Sequence, residues 1–397
     1  GVVRLVVAGS VLVVVWLGTH ERGADPRAAE TLVLMLLAAL GTQVLAGAAD
    51  VAVLAVGFLL SSVPLVGLVG LARTPPAAEA AMKTYLLSSL LGIVLLGGVV
   101  LLTGLAGSSR YAAVAAAAPG VSGTLVLLGV AAVLAGLMVE VGGAPGHFWV
   151  PDVAQGASVT AAAFATTVPK VGALVASWRL VDTVGGPGGA LLLVGLLAAF
   201  TMTLGNLAAY PQTDPRRLLG WSTVAQAGYL LVPVAVTGGA ALARPALLFY
   251  LAAYAASNLG AFAVAAAVPD RRRLDDFRGL AGQAPWLAGS LLVCLLSLVG
   301  TPPTAVFVGK LSTFTAGWDG GLAWLVVLAA LNTVASLFYY LRWLMPVFRT
   351  DTSRPQPTGT VAGPPARPAT AAAVGAAVLV LGLGLAAGLV WPVLTGV

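Results

Sequence analysis

Apolar runs of roughly 18–25 residues recur along this chain between short polar turns, and each can cross about 30 Å of hydrocarbon at 1.5 Å rise per residue. They predict helices near 2–19, 30–48, 51–72, 82–105, 122–142, 157–180, 188–209, 217–238, 244–267, 285–315, 322–347 and 370–394. The pattern is that of an all-α integral membrane protein of about 12 transmembrane helices. Gly, Ala and Ser are abundant, and small residues let membrane helices approach closely. Two spans are interrupted, one at Gly142-Gly143-Ala144-Pro145 and one at Gly300-Thr301-Pro302-Pro303. Proline removes a backbone donor and clashes with the preceding turn, so both helices should unwind there. Unwound backbone at membrane depth survives only where protein or water satisfies it. The breaks fall in the fifth and tenth spans, so they run in opposite directions through the bilayer, as inverted repeats require.

Composition strengthens this picture. Of 397 residues, 59% are hydrophobic and 9% charged, against about 25% charged in soluble domains. The formal charge of +6 resides in arginines of short loops, which argues for cytoplasmic loop charge and against nucleic acid. Arg22, Arg27, Arg73, Arg216, Arg217, Arg271, Arg272, Arg273, Arg278, Arg349, Arg354 and Arg367 fall on one side, and only Arg110, Arg179 and Arg244 on the other. The rich side is expected to be cytoplasmic, with both ends of the chain facing outward. Residues 350–369, rich in Pro, Thr and Gly, read as a flexible cytoplasmic connection. The single cysteine, Cys294, excludes a disulfide framework, and the two histidines, His20 and His147, belong to no cluster with metal-ligand spacing. No phosphate-binding or dinucleotide fingerprint is present, and the long first span carries no signal-peptide pattern.

Against this apolar background a few ionisable residues stand out. The chain has three lysines, Lys83, Lys170 and Lys310. Lys83 opens the fourth span at its cytoplasmic end, where a snorkelling anchor is expected. Lys170 lies midway along the sixth span, Lys310 follows the second break, and Glu140 precedes the first. Each costs about 2.5–3.5 kcal/mol at the bilayer centre, so each needs a reason. Structural pairing is one; a proton relay among groups that alternate between charged and neutral is the sharper one. Thr166, Thr167, Ser222, Thr223, Gln226, Tyr229, Ser257, Asn258, Thr301, Thr304 and Ser312 are candidates to hold a water chain, although Ser and Thr also bond within their own helices. His147, beside the first break, is a candidate relay or gate, or simply a structural hydrogen-bonding group.

At these residues the chain resembles a known family. Pro145-Gly146-His147-Phe148-Trp149-Val150-Pro151-Asp152-Val153, running on to Thr167-Val168-Pro169-Lys170, is similar to the signature of subunit N of bacterial NADH–quinone oxidoreductase, respiratory complex I. Glu79 to Lys83, Asn206 to Tyr210, Gln212 to Leu219, Ser222 to Tyr229, Asn258 to Phe262, Gly300 to Lys310 and Tyr339 to Arg342 extend the likeness in order over nearly the whole chain. Antiporter and hydrogenase membrane subunits share the fold and several of these motifs.

The resemblance implies two inverted five-helix repeats with broken helices. They divide the chain into an N-terminal helix and loop (1–29), a first repeat (30–180), a second repeat (181–349) and a linker with a C-terminal helix (350–397). It begins at the family's third helix, which implies that two N-terminal helices are absent. It further implies a proton-translocating, multi-pass subunit of a bacterial plasma (inner) membrane, assembled with the other membrane subunits of a complex I-like enzyme. No cofactor is expected in this chain; quinone, NADH, FMN and iron–sulfur clusters are expected in partner subunits. Lys170 matches the family's central lysine and Lys310 the lysine of the second broken helix.

Two family charges do not carry over. Leu59 stands at the position of a glutamate, and Glu140 at that of a lysine. Glu140 and Lys170 are accordingly expected to form a substitute pair that drives a proton between Lys170 and Lys310, in a divergent paralogue. A cation/proton antiporter subunit and a non-conducting structural subunit are the alternatives.

Overall fold

The computed structural model describes residues 1–19, 27–184, 189–349 and 365–395. His20, Arg22, Arg354 and most of the expected linker (350–364) lie outside the described residues. What is described is helical, with one isolated bridge between Asp50 and Arg110. We number the principal helices α1 (Val2–Leu17), α2 (Ala28–Gly47), α3 (Val51–Gly70), α4 (Pro75–Ala106), α5 (Gly123–Val141), α6 (Trp149–Gly156), α7 (Val159–Val184) and α8 (Gly189–Ala209). They continue as α9 (Pro215–Ala235), α10 (Ala243–Ala267), α11 (Pro285–Val299), α12 (Ala305–Asp319), α13 (Ala323–Phe348), α14 (Arg367–Leu385) and α15 (Ala387–Thr395). Ten of these are long and apolar enough to span a membrane. The shorter α1 and the broken pair α11/α12 complete the expected twelve.

Burial sorts the helices into an inner and an outer set. α7, α9 and α10 are buried almost all round, and their apolar residues accordingly show no single stripe. Outer helices turn large apolar residues outward, among them Leu36 on α2, Leu90 and Ile93 on α4, Leu196 on α8 and Leu331 on α13. With lipid as solvent this outward apolar surface is what the chain requires.

Two helix boundaries differ from the sequence expectation. α4 begins at Pro75, with Pro at its first positions and Thr74 accepting from the Ala77 amide. The polar first turns masked this start, because the segment around Glu79 lacks the apolar pattern of a span and Lys83 reads as the first residue of the helix. Lys83 is also more than a snorkelling anchor, since its ammonium lies 2.7 Å from both Glu79 and Asp152. Asp152 in turn meets Arg217 at 2.6 Å, so α4, α6 and the start of α9 are tied together at one end of the bundle. The last span, expected as one helix, is divided at Ala386 into α14 and α15.

Both expected breaks are present, and protein groups satisfy them. α5 ends at Gly142 (φ 67°) and α11 at Gly300 (φ 92°), a left-handed conformation in which a side chain would be strained. At the first break Thr201 Oγ1 accepts from the Ala144 amide (3.1 Å), and the Trp149 indole donates to the Val139 carbonyl (3.1 Å). At the second, Gln226 Nε2 donates to the Leu298 carbonyl and Lys310 Nζ to that of Val299, each at 2.8 Å. A cis peptide bond precedes Pro145 in one break and Pro303 in the other.

Candidate functional site

Glu140, Lys170 and Lys310 are 2%, 1% and 3% exposed, deep inside a chain whose outer surface is apolar. Glu140 projects from the last turn of α5 toward α3. Ser61 Oγ donates to its Oε2 at 2.8 Å, and Ser62 Oγ donates to its Oε1. Lys170, midway along α7, reaches the other way and donates to the Thr223 carbonyl of α9 at 2.7 Å. It passes the first break on the way, since a Cβ at Gly142 would lie 3.9 Å from its Nζ. The substitute pair is therefore not a contact pair: no ion pair joins Glu140 to Lys170 among the described residues. The cause is geometric, because the serines hold the carboxylate on one side of the break and the carbonyl draws the ammonium to the other.

Leu59 is 45% exposed on the outer surface of α3, while Phe58, Ser61 and Ser62 face inward. A carboxylate at Leu59 would not face Lys170 within this chain; the two serines supply the inward polar surface.

Lys310 on α12 folds back over the second break. Besides the Val299 carbonyl, it donates to Thr333 Oγ1 of α13 at 3.3 Å, and its Nζ stands 4.1 Å from the centre of the Tyr229 ring. Both lysines are thus held near the C-terminal end of a broken half-helix, where unpaired carbonyls carry partial negative charge.

Between the lysines runs α9. Ser222, Gln226 and Tyr229 recur at i, i+4 and i+7 on one face of it. Thr223 meets Tyr254, whose hydroxyl donates to Thr166 O (2.8 Å) and lies 3.1 Å from Thr223 Oγ1. Asn258 donates to the hydroxyls of Thr166 and Thr167 at 3.0 and 2.9 Å. Tyr250 donates to Gln226 Oε1 at 2.6 Å, Ser257 to Ser297 at 2.8 Å, and Ser222 pairs with Tyr340. Thr166, Thr167, Ser222, Thr223, Gln226, Tyr229 and Asn258, all candidates from the sequence, therefore line one buried polar layer, whereas Ser257 bonds Ser297 and a carbonyl of its own helix. Thr301, Thr304 and Ser312 do not join it: each bonds a carbonyl of its own segment.

Sequence reading did not nominate Ser61, Ser62, Tyr250, Tyr254, Asn332 or Thr333. The available signal was that a tyrosine hydroxyl within an apolar span needs a buried partner. His147 is 3% exposed, and its Nδ1 has no hydrogen-bond partner among the described residues. Its ring packs on Phe148 and Trp221 at 4.1 and 5.9 Å between centres, with no bond to Glu140 or Lys170. Among the described residues no group of three His, Cys, Asp or Glu side chains is gathered as for a metal ion.

Comparison with known proteins bears on the fold and the family. The family described as "NADH:quinone oxidoreductase/Mrp antiporter, TM" matches residues 48–336. The NADH-quinone oxidoreductase subunit N of Mycobacterium sp. (strain JLS) is 54% identical over 100% of this chain and 84% of its own length. Subunit N 1 of Streptomyces griseus is 50% identical over 98% of this chain and 82% of its own. A chain in the structure of respiratory complex I from Thermus thermophilus superposes with a TM-score of 0.84 and 34% identity, covering 98% of this chain and 84% of that one. A chain of the Mrp complex from Dietzia sp. has the same TM-score at 23% identity, covering 100% of this chain and 82% of that one, which shows the shared fold.

Proposed function

The chain belongs to the subunit N family of NADH-quinone oxidoreductases, the antiporter-like membrane subunits of respiratory complex I, and from this we propose that Glu140, Lys170 and Lys310 are the groups through which it moves protons. The chain is a multi-pass membrane subunit of that proton-translocating assembly. On our reading NADH, FMN, the iron–sulfur clusters and quinone belong to partner subunits, and this chain supplies only the proton path.

One observation carries the assignment of residues. Three ionisable side chains, each at most 3% exposed, sit at or beside two helix breaks inside a lipid-facing bundle. No carboxylate pairs with either lysine among the described residues, so the cost of burying them is not offset by a structural ion pair. Carbonyls, hydroxyls and ring faces hold the ammonium groups instead, and these hold a proton without trapping it. The polar layer along α9 supplies groups through which water can link Lys170 to Lys310.

We assign the first and second inverted repeats to 30–180 and 181–349. In each set the fourth member is the broken helix, α5/α6 or α11/α12, and a 26-residue helix, α7 or α13, closes the set. His147 fits a gate at the first break better than a relay, because it packs on aromatic rings and bonds to none of the three relay groups.

Lys170→Ala and Lys310→Ala, each made in the assembled oxidoreductase in membranes, test the proposal. The expected result is fewer protons translocated per NADH oxidised, with electron transfer from NADH to an artificial acceptor retained. An unchanged proton ratio in both variants would show that this chain is a structural subunit.

A further inference from the structure

An ammonium group has three N–H donors. At Lys310 two are accounted for by the Val299 carbonyl and the Thr333 hydroxyl. The remaining side of the nitrogen meets the Tyr229 ring, whose centre is 4.1 Å from Nζ. That lies well inside the range of about 6 Å over which a ring face attracts a cation, and the attraction grows when water is excluded. Tyr229 is fully buried.

The ring is also held in this orientation. Its hydroxyl accepts from Asn206 Nδ2 (3.3 Å), and the same nitrogen donates to Asn332 Oδ1 (3.0 Å). Asn332 Nδ2 donates to Thr203, and the Tyr339 hydroxyl donates to Asn206 Oδ1. A buried amide pair, itself satisfied from three helices, thus pins the tyrosine by its hydroxyl and presents its face to the lysine. Lys170 repeats the plan more loosely. It has one carbonyl partner and stands 5.4 Å from the Tyr254 ring, which is pinned by its own hydroxyl on Thr166.

We propose that Tyr229 is a positioning residue for the proton path: its ring face stands where a carboxylate would otherwise balance Lys310, and the Asn206–Asn332 pair holds the ring there. A carboxylate at 3 Å would trap the proton; a ring face favours the charged ammonium less strongly and does not compete for its proton. The hydroxyl anchors the ring.

This rests on the reading that Lys310 carries protons, and the experiment separates the two. In the assembled oxidoreductase, proton translocation per NADH oxidised is compared for Lys310→Ala, Tyr229→Phe and Tyr229→Leu. Full translocation in Lys310→Ala would overturn the underlying reading whatever the tyrosine variants do. With Lys310→Ala impaired, Tyr229→Phe keeps the ring but gives up its anchor, and is expected to lose flux by about twofold, far less than removal of the ring. Tyr229→Leu is expected to lose the flux through this chain by about tenfold. Loss in Tyr229→Phe as deep as in Tyr229→Leu would overturn the inference in favour of a hydroxyl relay, and full translocation in Tyr229→Leu would overturn it outright. Should Tyr229→Leu fail to assemble, Tyr229→Met is read in its place; if neither assembles, the Phe variant decides, a loss of about twofold supporting the inference and a full loss or none overturning it.

Discussion

Glu140 shows how a single side chain is kept charged or neutral by choice of neighbours. Its carboxylate accepts from two serine hydroxyls and meets no cation among the described residues. Ser62→Ala would leave one buried oxygen without its donor, which costs about 1–3 kcal/mol. The expected outcome is earlier thermal unfolding of the detergent-solubilised assembly, with Ser122→Ala, exposed and without a side-chain cap bond, as an unaffected control. Glu140→Gln is expected to differ in kind. The amide oxygen still accepts from a serine, so stability changes little, whereas proton translocation falls because the group no longer ionises. Full translocation by the Gln variant would remove Glu140 from the relay. The direction in which Glu140 and Lys170 diverge was not legible in the sequence. Both residues stand out as buried charges, but whether each meets the other, a serine or a carbonyl depends on helix rotation. Leu59 shows the same limit: Phe58, Ser61 and Ser62 face inward while it faces out.

At the level of helices, close crossings decide which polar layers meet. α8 and α9 approach through Gly205 and Gly228. A Cβ at Gly228 would come 2.4 Å from the Met202 amide, and one at Gly205 would come 2.4 Å from that of Ala225. Neither neighbour is a flexible side chain that yields cheaply. Gly228→Ala is therefore expected to cost at least about 1–3 kcal/mol and to move Tyr229, one residue away, off Lys310. Gly97→Ala, with nothing within 4 Å of the added carbon, is expected to be neutral. Unfolding temperature and the yield of assembled subunit separate the two. Helices of this kind were legible because their lengths match the bilayer, and the breaks were legible because Gly and Pro interrupt them. The true start of α4 was not, because Lys83 is compensated both by Glu79 within its own helix and by Asp152 across 69 residues of sequence. Tyr250 and Tyr254 escaped for a related reason: in a single sequence a buried tyrosine that anchors a network looks like one that merely fills space.

For the molecule as a whole, the arginine asymmetry predicts which end faces the cytoplasm. Cys294 is buried and is the chain's one cysteine. A maleimide should leave the folded protein unmodified and react only after denaturation. On a Cys294→Ser background, Arg272→Cys should react with an impermeant maleimide only from the cytoplasmic face and Ser108→Cys only from the outer face. Reaction of both from one side would invalidate the orientation. The manner in which the lysines are held has a further consequence. Neutral dipoles and rings surround them, so no fixed counter-ion moves with an arriving proton. Each uptake event then adds a whole elementary charge to a low-dielectric interior, where two charges interact about four times more strongly than in water even at a conservative effective dielectric of about 20. A carboxylate partner would have kept the ammonium protonated throughout, so that its occupancy carried no such signal. Without one, occupancy of either lysine is broadcast as a voltage along the bundle, and a remote partner can sense it without any helix having to travel.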